Sequence, residues 1–166
     1  MIDISLPIEL SKAEKYQLLL KQLNSLFTGE TDLIANMANL SAVLQSNFDF
    51  LWTGFYLNRK EQLVLGPFQG PLACTRISIG KGVCGTAAKN AEAVVVADVN
   101  DFPGHIVCSP HSKSEIVIPG ILNNSTIFVL DIDSDKLSHF DSTDKIMLEQ
   151  IVQLLIDASD CSFLQH

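Results

Sequence analysis

The period of the hydrophobic pattern changes twice along this chain, and that change limits the fold more than any single residue does. From Lys12 to Phe27 the apolar positions Tyr16, Leu19, Leu20, Leu23, Leu26 and Phe27 recur at three and four, which predicts one face of a helix ended by Gly29. Thr31 or Asp32 can cap a second helix with its own stripe, Leu33, Met37, Leu40 and Leu44. After Asn47 the period drops to two. Phe50, Trp52, Gly54 and Tyr56 alternate with Leu51, Thr53, Phe55 and Leu57, and after the polar turn Asn58-Arg59-Lys60-Glu61 the segment Gln62 to Phe68 returns as the second arm of a hairpin. Further strands are expected at Cys74 to Ile79, at Val94 to Val99, and at Ser114 to Leu122 and Ser125 to Asp133. The last two join at Asn123-Asn124. A short Ala-rich helix runs to about Ala93, and Asn100 to Lys113 is a long Pro- and Gly-containing loop of the kind that carries function. The helical period returns from Ser142 to Ala158, with Met147, Ile151, Leu154 and Leu155 on one face and Asp141 and Asp144 at its start. Helices at both ends and strands between them predict an α+β domain, a mainly antiparallel sheet of about six strands with the N- and C-terminal helices packed on one face.

No repeat, low-complexity run or Pro/Gly/Ser linker divides the 166 residues, so they are read as a single domain, 1–166, with residues 1–11 as an N-terminal extension and 159–166 as a C-terminal tail. An apolar share of 47% against 18% charged residues is enough for an ordinary core. Nineteen acidic against 11 basic side chains give a net charge of −8, which repels nucleic acid and anionic membranes. No apolar run reaches the roughly 18 residues of a membrane span. The segment Met1 to Leu10 carries Asp3 and Glu9 with no basic start, so a cytoplasmic protein that is not exported is expected. In that compartment Cys74, Cys84, Cys108 and Cys161 are expected as thiols rather than as a structural disulfide framework.

Several constellations could carry chemistry. Gly80-Lys81-Gly82-Val83-Cys84-Gly85 fits G-x-G-x-x-G and has Asp98 downstream, but the following helix is short, Arg76 sits in the leading strand, and no series of βαβ units follows. NAD(P) binding is set aside. The glycines are read as a sharp turn, or as a nest of N–H groups able to receive a small carboxylate. His105 and Cys108 are the best local metal pair, yet Cys74 and Cys84 stand ten apart without close partners, so no metal is expected. His105 could instead deprotonate Cys108 in a cysteine hydrolase. The acids say more. Ile127, Val129, Asp131 and Asp133 are expected on one strand face, the two carboxylates about 7 Å apart, with Glu115 near the start of the neighbouring strand. Clustered carboxylates raise one another's pKa, so such a site can attract an ammonium and also donate a proton; otherwise Asp131 and Asp133 simply run out into solvent. Trp52, the only tryptophan, shares a strand face with Tyr56, and its ring could hold a soft sulfur or a methyl group beside the acids.

The stretches Ala73-Cys74-Thr75-Arg76-Ile77, Gly80 to Ala87, Asp98-Val99, Phe102-Pro103-Gly104-His105-Ile106 with Cys108, and Ser112 with Ser114-Glu115-Ile116-Val117 and Pro119 resemble the free methionine-(R)-sulfoxide reductases, single-domain proteins of the GAF fold. Trp52-Thr53-Gly54-Phe55-Tyr56, Leu130-Asp131-Ile132-Asp133 and Phe140-Asp141 extend the match over roughly residues 15 to 155. Its most specific part is the three cysteines at intervals of ten and twenty-four. The resemblance implies reduction of free L-methionine (R)-sulfoxide driven by thioredoxin, with no bound cofactor. It implies Cys108 as the attacking thiol, Cys74 as the resolving one and Cys84 as an alternative partner in exchange. Glu115, Asp131 and Asp133 become the acids of the substrate pocket, with Trp52 and Tyr56 as its aromatic side, and a homodimer through the N-terminal helices is compatible with it. The chain departs from the pattern at Ser109, where the family commonly has Asp, followed by Pro110-His111, and at Gly120, where an apolar residue is expected. A GAF module that binds a small ligand without catalysis is the main alternative, since fold alone does not settle function. Cys161 lies outside the pattern and is read as incidental.

Overall fold

The computed structural model describes residues 4–60 and 62–164. Glu61 of the expected turn, Met1 and Asp3 of the N-terminal segment, and the last two residues of the tail lie outside them. The element order is α1 (Lys12–Phe27), α2 (Leu33–Asn47), β1 (Trp52–Arg59), β2 (Gln62–Gln69), β3 (Arg76–Ser78), α3 (Gly82–Asn90), β4 (Val94–Val96), β5 (Ser114–Leu122), β6 (Ser125–Ser134) and α4 (Ser142–Ala158). The six strands form one antiparallel sheet in the order β3-β2-β1-β6-β5-β4.

Both long helices at the ends begin on capping boxes, Ser11 with Glu14 and Asp141 with Asp144, and Asp32 caps α2 by accepting from the Ala35 N–H. Asp144 also accepts hydrogen bonds from the hydroxyl of buried Tyr16 at 2.9 Å and from the Lys12 ammonium at 2.5 Å, which ties α4 to α1. The side chains of α1, α2 and α4 close over one sheet face, where Phe55, Leu57, Ile116, Ile118, Phe128, Leu130 and Ile132 form the larger core. The segment before α1 joins this core through Ile4 and Leu6, held by the Asn47 amide.

The other face is smaller and, among the described residues, α3 is the one α-helix on it. Here Trp52, Tyr56, Leu63, Ile77, Val117 and Val129 meet Val83, Cys84 and Ala87 of the short helix.

Some boundaries differ from the sequence expectation, each for a local reason. β1 begins at Trp52, because Phe50 belongs to the helical core and packs on Phe48 and Phe140. β3 is only three residues long. The helix after it stops at Asn90, where Ala91 turns left-handed. β4 ends at Val96, because the Asp98 side chain captures the Asn100 N–H and winds Val99–Asp101 into a single 3-10 turn. Ile127 does not share a face with Val129. The β5–β6 register skips it, pairing Gly120 with Phe128 and Ile121 with Thr126, so Ile127 turns into the helical core. Gly120, the unexpected residue after Pro119, lies under the Phe128 ring; a Cβ there would stand 2.4 Å from it. The apolar volume is supplied from across the pair.

Candidate active site

Strand register builds the site. Asp133 pairs with Trp52 on one side and Glu115 on the other, and Asp131 pairs with Gly54 and Val117. Antiparallel partners point to the same face, so Trp52, Asp133 and Glu115 form one row and Asp131 stands in the next row. The acids do not run out into solvent. Glu115 and Asp131 are each 6% exposed, and β6 continues past both aspartates to Ser134.

The start of α3 covers this tier. Gly80 and Gly82 take left-handed φ of 81° and 61°, and Gly85 allows its helix to press on the Ser78 carbonyl, where a Cβ would sit 2.3 Å away. The three glycines of the dinucleotide-like motif therefore serve a tight turn and a close approach. The strand before them is a short antiparallel edge, and a nucleotide-binding βαβ unit is absent among the described residues. That turn aims Cys84 at the acids, its Sγ 3.9 Å from Glu115 Oε1.

The loop between β4 and β5 closes the other side. Its stem is pinned by the Val99 N–H to the Lys113 carbonyl and the Lys113 N–H to the Ser134 carbonyl. Ile106 lies against Gly82. His105 reaches toward Glu115, its Nδ1 4.0 Å from Oε2, and Cys108 forms a disulfide with Cys74, the Cα atoms 5.3 Å apart.

The resulting cavity is small, about 30 Å³, and is walled by Val83, Cys84, His105, Cys108, Ser109, Ser112 and the three acids, among others. The expected residues Cys84, Cys108, Glu115, Asp131 and Asp133 thus come together. Trp52 and Tyr56 stand beside the cavity rather than on its wall. Trp52 stacks on Tyr56 and Phe68 and donates its indole N–H to the Pro71 carbonyl, while the Tyr56 hydroxyl donates to the Cys74 carbonyl at 3.0 Å. Both rings hold the segment that carries Cys74. Ser112 enters the sequence reading only as part of the family resemblance, with no role assigned, and its hydroxyl donates to Asp133 Oδ1. It stands three residues before Glu115 and ahead of β5, so strand alternation continued backwards would put it on the opposite face, and no sequence pattern discloses the contact. His105 was read as a base for Cys108. Among the described residues no hydrogen bond joins them, and that sulfur is committed to Cys74.

Burial, followed by repulsion from Asp131 and Asp133, holds Glu115 well above the usual carboxylate range. Burial and then Asp133 do the same to Asp131. Asp133, eased by the Ser112 hydroxyl, is pushed by burial only to about 6. Burial also raises the Cys84 thiol, so it stands protonated. Ligand atoms of Cys84, Glu115 and Asp131 lie within 4.8 Å of one another, a set able to ligate a thiophilic divalent cation. The same oxygens suit an ammonium. Because the three residues come from three separate elements, no spacing in the sequence discloses the set.

Gly54 makes room for the aromatic side of this face. A Cβ there would stand 2.4 Å from Phe68 Cβ and 2.5 Å from the Trp52 ring. Gly54→Ala is therefore expected to cost about 1–3 kcal/mol and to dislodge the indole. Denaturant unfolding, and the emission maximum of the only tryptophan, check this.

Comparison with known proteins agrees with the geometry. The GAF domain model matches residues 23–158. GAF domain-containing protein A of Dictyostelium discoideum is 54% identical over 146 residues, covering 87% of this chain and 92% of that protein. Free methionine-R-sulfoxide reductase of Escherichia coli is 46% identical over 147 residues, covering 88% and 89%. The X-ray structure of free methionine-R-sulfoxide reductase from Neisseria meningitidis in complex with its substrate superimposes with a TM-score of 0.92 at 44% identity, over 98% of each chain. With its sheet order, its tier of acids and its paired cysteines in place, the chain belongs to the GAF domain family and, within it, to the free methionine-R-sulfoxide reductases.

Proposed function

We propose that this protein reduces free L-methionine (R)-sulfoxide to L-methionine in the cytoplasm, with thioredoxin as its external reductant and no bound cofactor. The observation that carries the reading is a Cys74–Cys108 bridge at a cavity lined by three carboxyl groups.

In the reduced protein the Cys108 thiolate attacks the sulfoxide sulfur. Protonated Asp133 donates to the sulfoxide oxygen, the oxygen passes from the substrate sulfur to Cys108 as the transient bond between the two sulfurs breaks, and methionine leaves with Cys108 as a sulfenic acid. The Cys74 thiol then condenses with the sulfenic acid, releasing water and forming the disulfide. Thioredoxin, at about −270 mV, gives two electrons and two protons to restore both thiols. Cys84 lines the same cavity as Cys108 and is the second candidate for this condensation. Glu115 and Asp131 hold the substrate ammonium, which a methionine inside a protein lacks. The first N–H groups of α3, whose cap residue Lys81 makes no side-chain cap, suit the substrate carboxylate. Trp52 and Tyr56, beside the cavity, flank the substrate with their rings, with Tyr56 also positioning Cys74. No step requires two subunits; a homodimer through the N-terminal helices is compatible with the scheme.

Incubation with resolved R and S forms of free methionine sulfoxide and a thioredoxin system, followed by NADPH loss, is the test. Consumption with the R form alone is expected. No turnover with either form would leave a ligand-binding GAF module without catalysis.

A further inference from the structure

The scheme above leaves one buried polar group without a task. His105 Nδ1 is enclosed at the cavity wall and has no hydrogen-bond partner among the described residues, nor has Asp131 Oδ1. Leaving a ring nitrogen buried and unpaired costs on the order of 1–3 kcal/mol, so a ligand atom is the natural partner. The ring is held in place by the turn that the His105 N–H closes onto the Phe102 carbonyl, with Gly104 at φ 74°. Nδ1 lies 4.0 Å from Glu115 Oε2. That gap is too long for a direct hydrogen bond, but one nitrogen placed about 2.9 Å from both atoms fits between them. A primary ammonium has three N–H bonds, and Glu115, Asp131 and the imidazole, three acceptors, line this cavity.

Resting on the substrate reading above, we infer that His105 Nδ1 is the third acceptor for the ammonium group and selects free amino acids over N-acylated ones. The ring serves as an acceptor only when neutral with its proton on Nε2, and burial favours the neutral form by lowering its pKa. An acylated nitrogen offers one N–H and no charge, so it leaves two of the acceptors unpaired.

The test compares wild type, His105→Leu and His105→Asn on free and N-acetyl methionine (R)-sulfoxide, with thermal melting as a check of folding. Asn carries an oxygen where Nδ1 stands, Leu does not. For the free substrate, His105→Leu is expected to raise KM about 10- to 100-fold with kcat within about threefold, and His105→Asn to recover most of the loss. For the acetylated substrate the variants should match wild type. An equal loss on both substrates, or a fall in kcat without a change in KM, overturns the assignment. If wild type turns over neither sulfoxide, the functional reading fails separately. Calorimetric binding of L-methionine against its deaminated analogue then decides the role of His105: a preference for the amine that His105→Leu erases upholds it, and an unchanged preference removes it.

Discussion

Cys108→Ser is expected to remove methionine (R)-sulfoxide reduction entirely, a loss of at least about 10³-fold, as is usual when a covalent nucleophile is deleted. A serine hydroxyl has nearly the shape of the thiol but is a weak nucleophile toward sulfur, and it forms no sulfenic acid on which the second thiol can act. NADPH consumption in the thioredoxin-coupled assay reads the loss directly. The same chemistry fixes the fate of the oxidised wild type. After one equivalent of sulfoxide, peptide mapping should find Cys74 joined to Cys108, as in the structure. A dominant bridge from Cys84 to Cys108 would move the resolving role to Cys84.

Asp133 should give the second-largest effect and the clearest pH signature. Its pKa is raised by burial from 3.8 to about 6, with Glu115 opposite, Asp131 two residues away and Ser112 hydrogen-bonded to it. If it donates the proton, kcat should be highest below pH 6 and fall up to about tenfold per unit above it. The three acids titrate as one system, so the step belongs to the group and not to Asp133 alone. Asp133→Asn should lower kcat by about 10²–10⁴ and flatten this step. A change in KM alone would transfer the role to another acid. The stability consequence has a definite sign. A carboxyl whose folded pKa lies above its unfolded one favours the native state below pH 3.8, and this contribution is lost as pH rises toward 6. Two units correspond to about 3 kcal/mol, so Asp133→Asn should melt higher than wild type at pH 8 and show little gain at pH 4.

Much of this was legible in the residues themselves. The helical stripes around Leu19 and Leu23 and around Ile151 and Leu155, and the alternation through Trp52 to Leu57, report which faces are apolar, and that is what decides layers. The convergence of Glu115 with Asp131 and Asp133 followed from parity, and only the register was missing. The missed details depend on tertiary or competing local contacts. Ile127 changes face because a bulge adds one residue to a strand, and no local pattern announces it. Val99 leaves its strand because the Asp98 carboxylate outcompetes the ladder. The orphaned nitrogen of His105 is invisible in sequence, since it is defined by what fails to reach it.

The disulfide joins segments from opposite margins of the sheet. Cys74 lies two residues before β3 at one edge, and Cys108 lies in the loop after β4 at the other. The oxidised molecule is therefore a hoop fastened across its working side, and the reduced one is a hoop unbuckled. Fastening a circuit of 34 residues removes about 4 kcal/mol of chain freedom from the unfolded ensemble. In the proposed cycle each turnover makes and releases this constraint, and the reduced form, without it, is the one that receives the substrate.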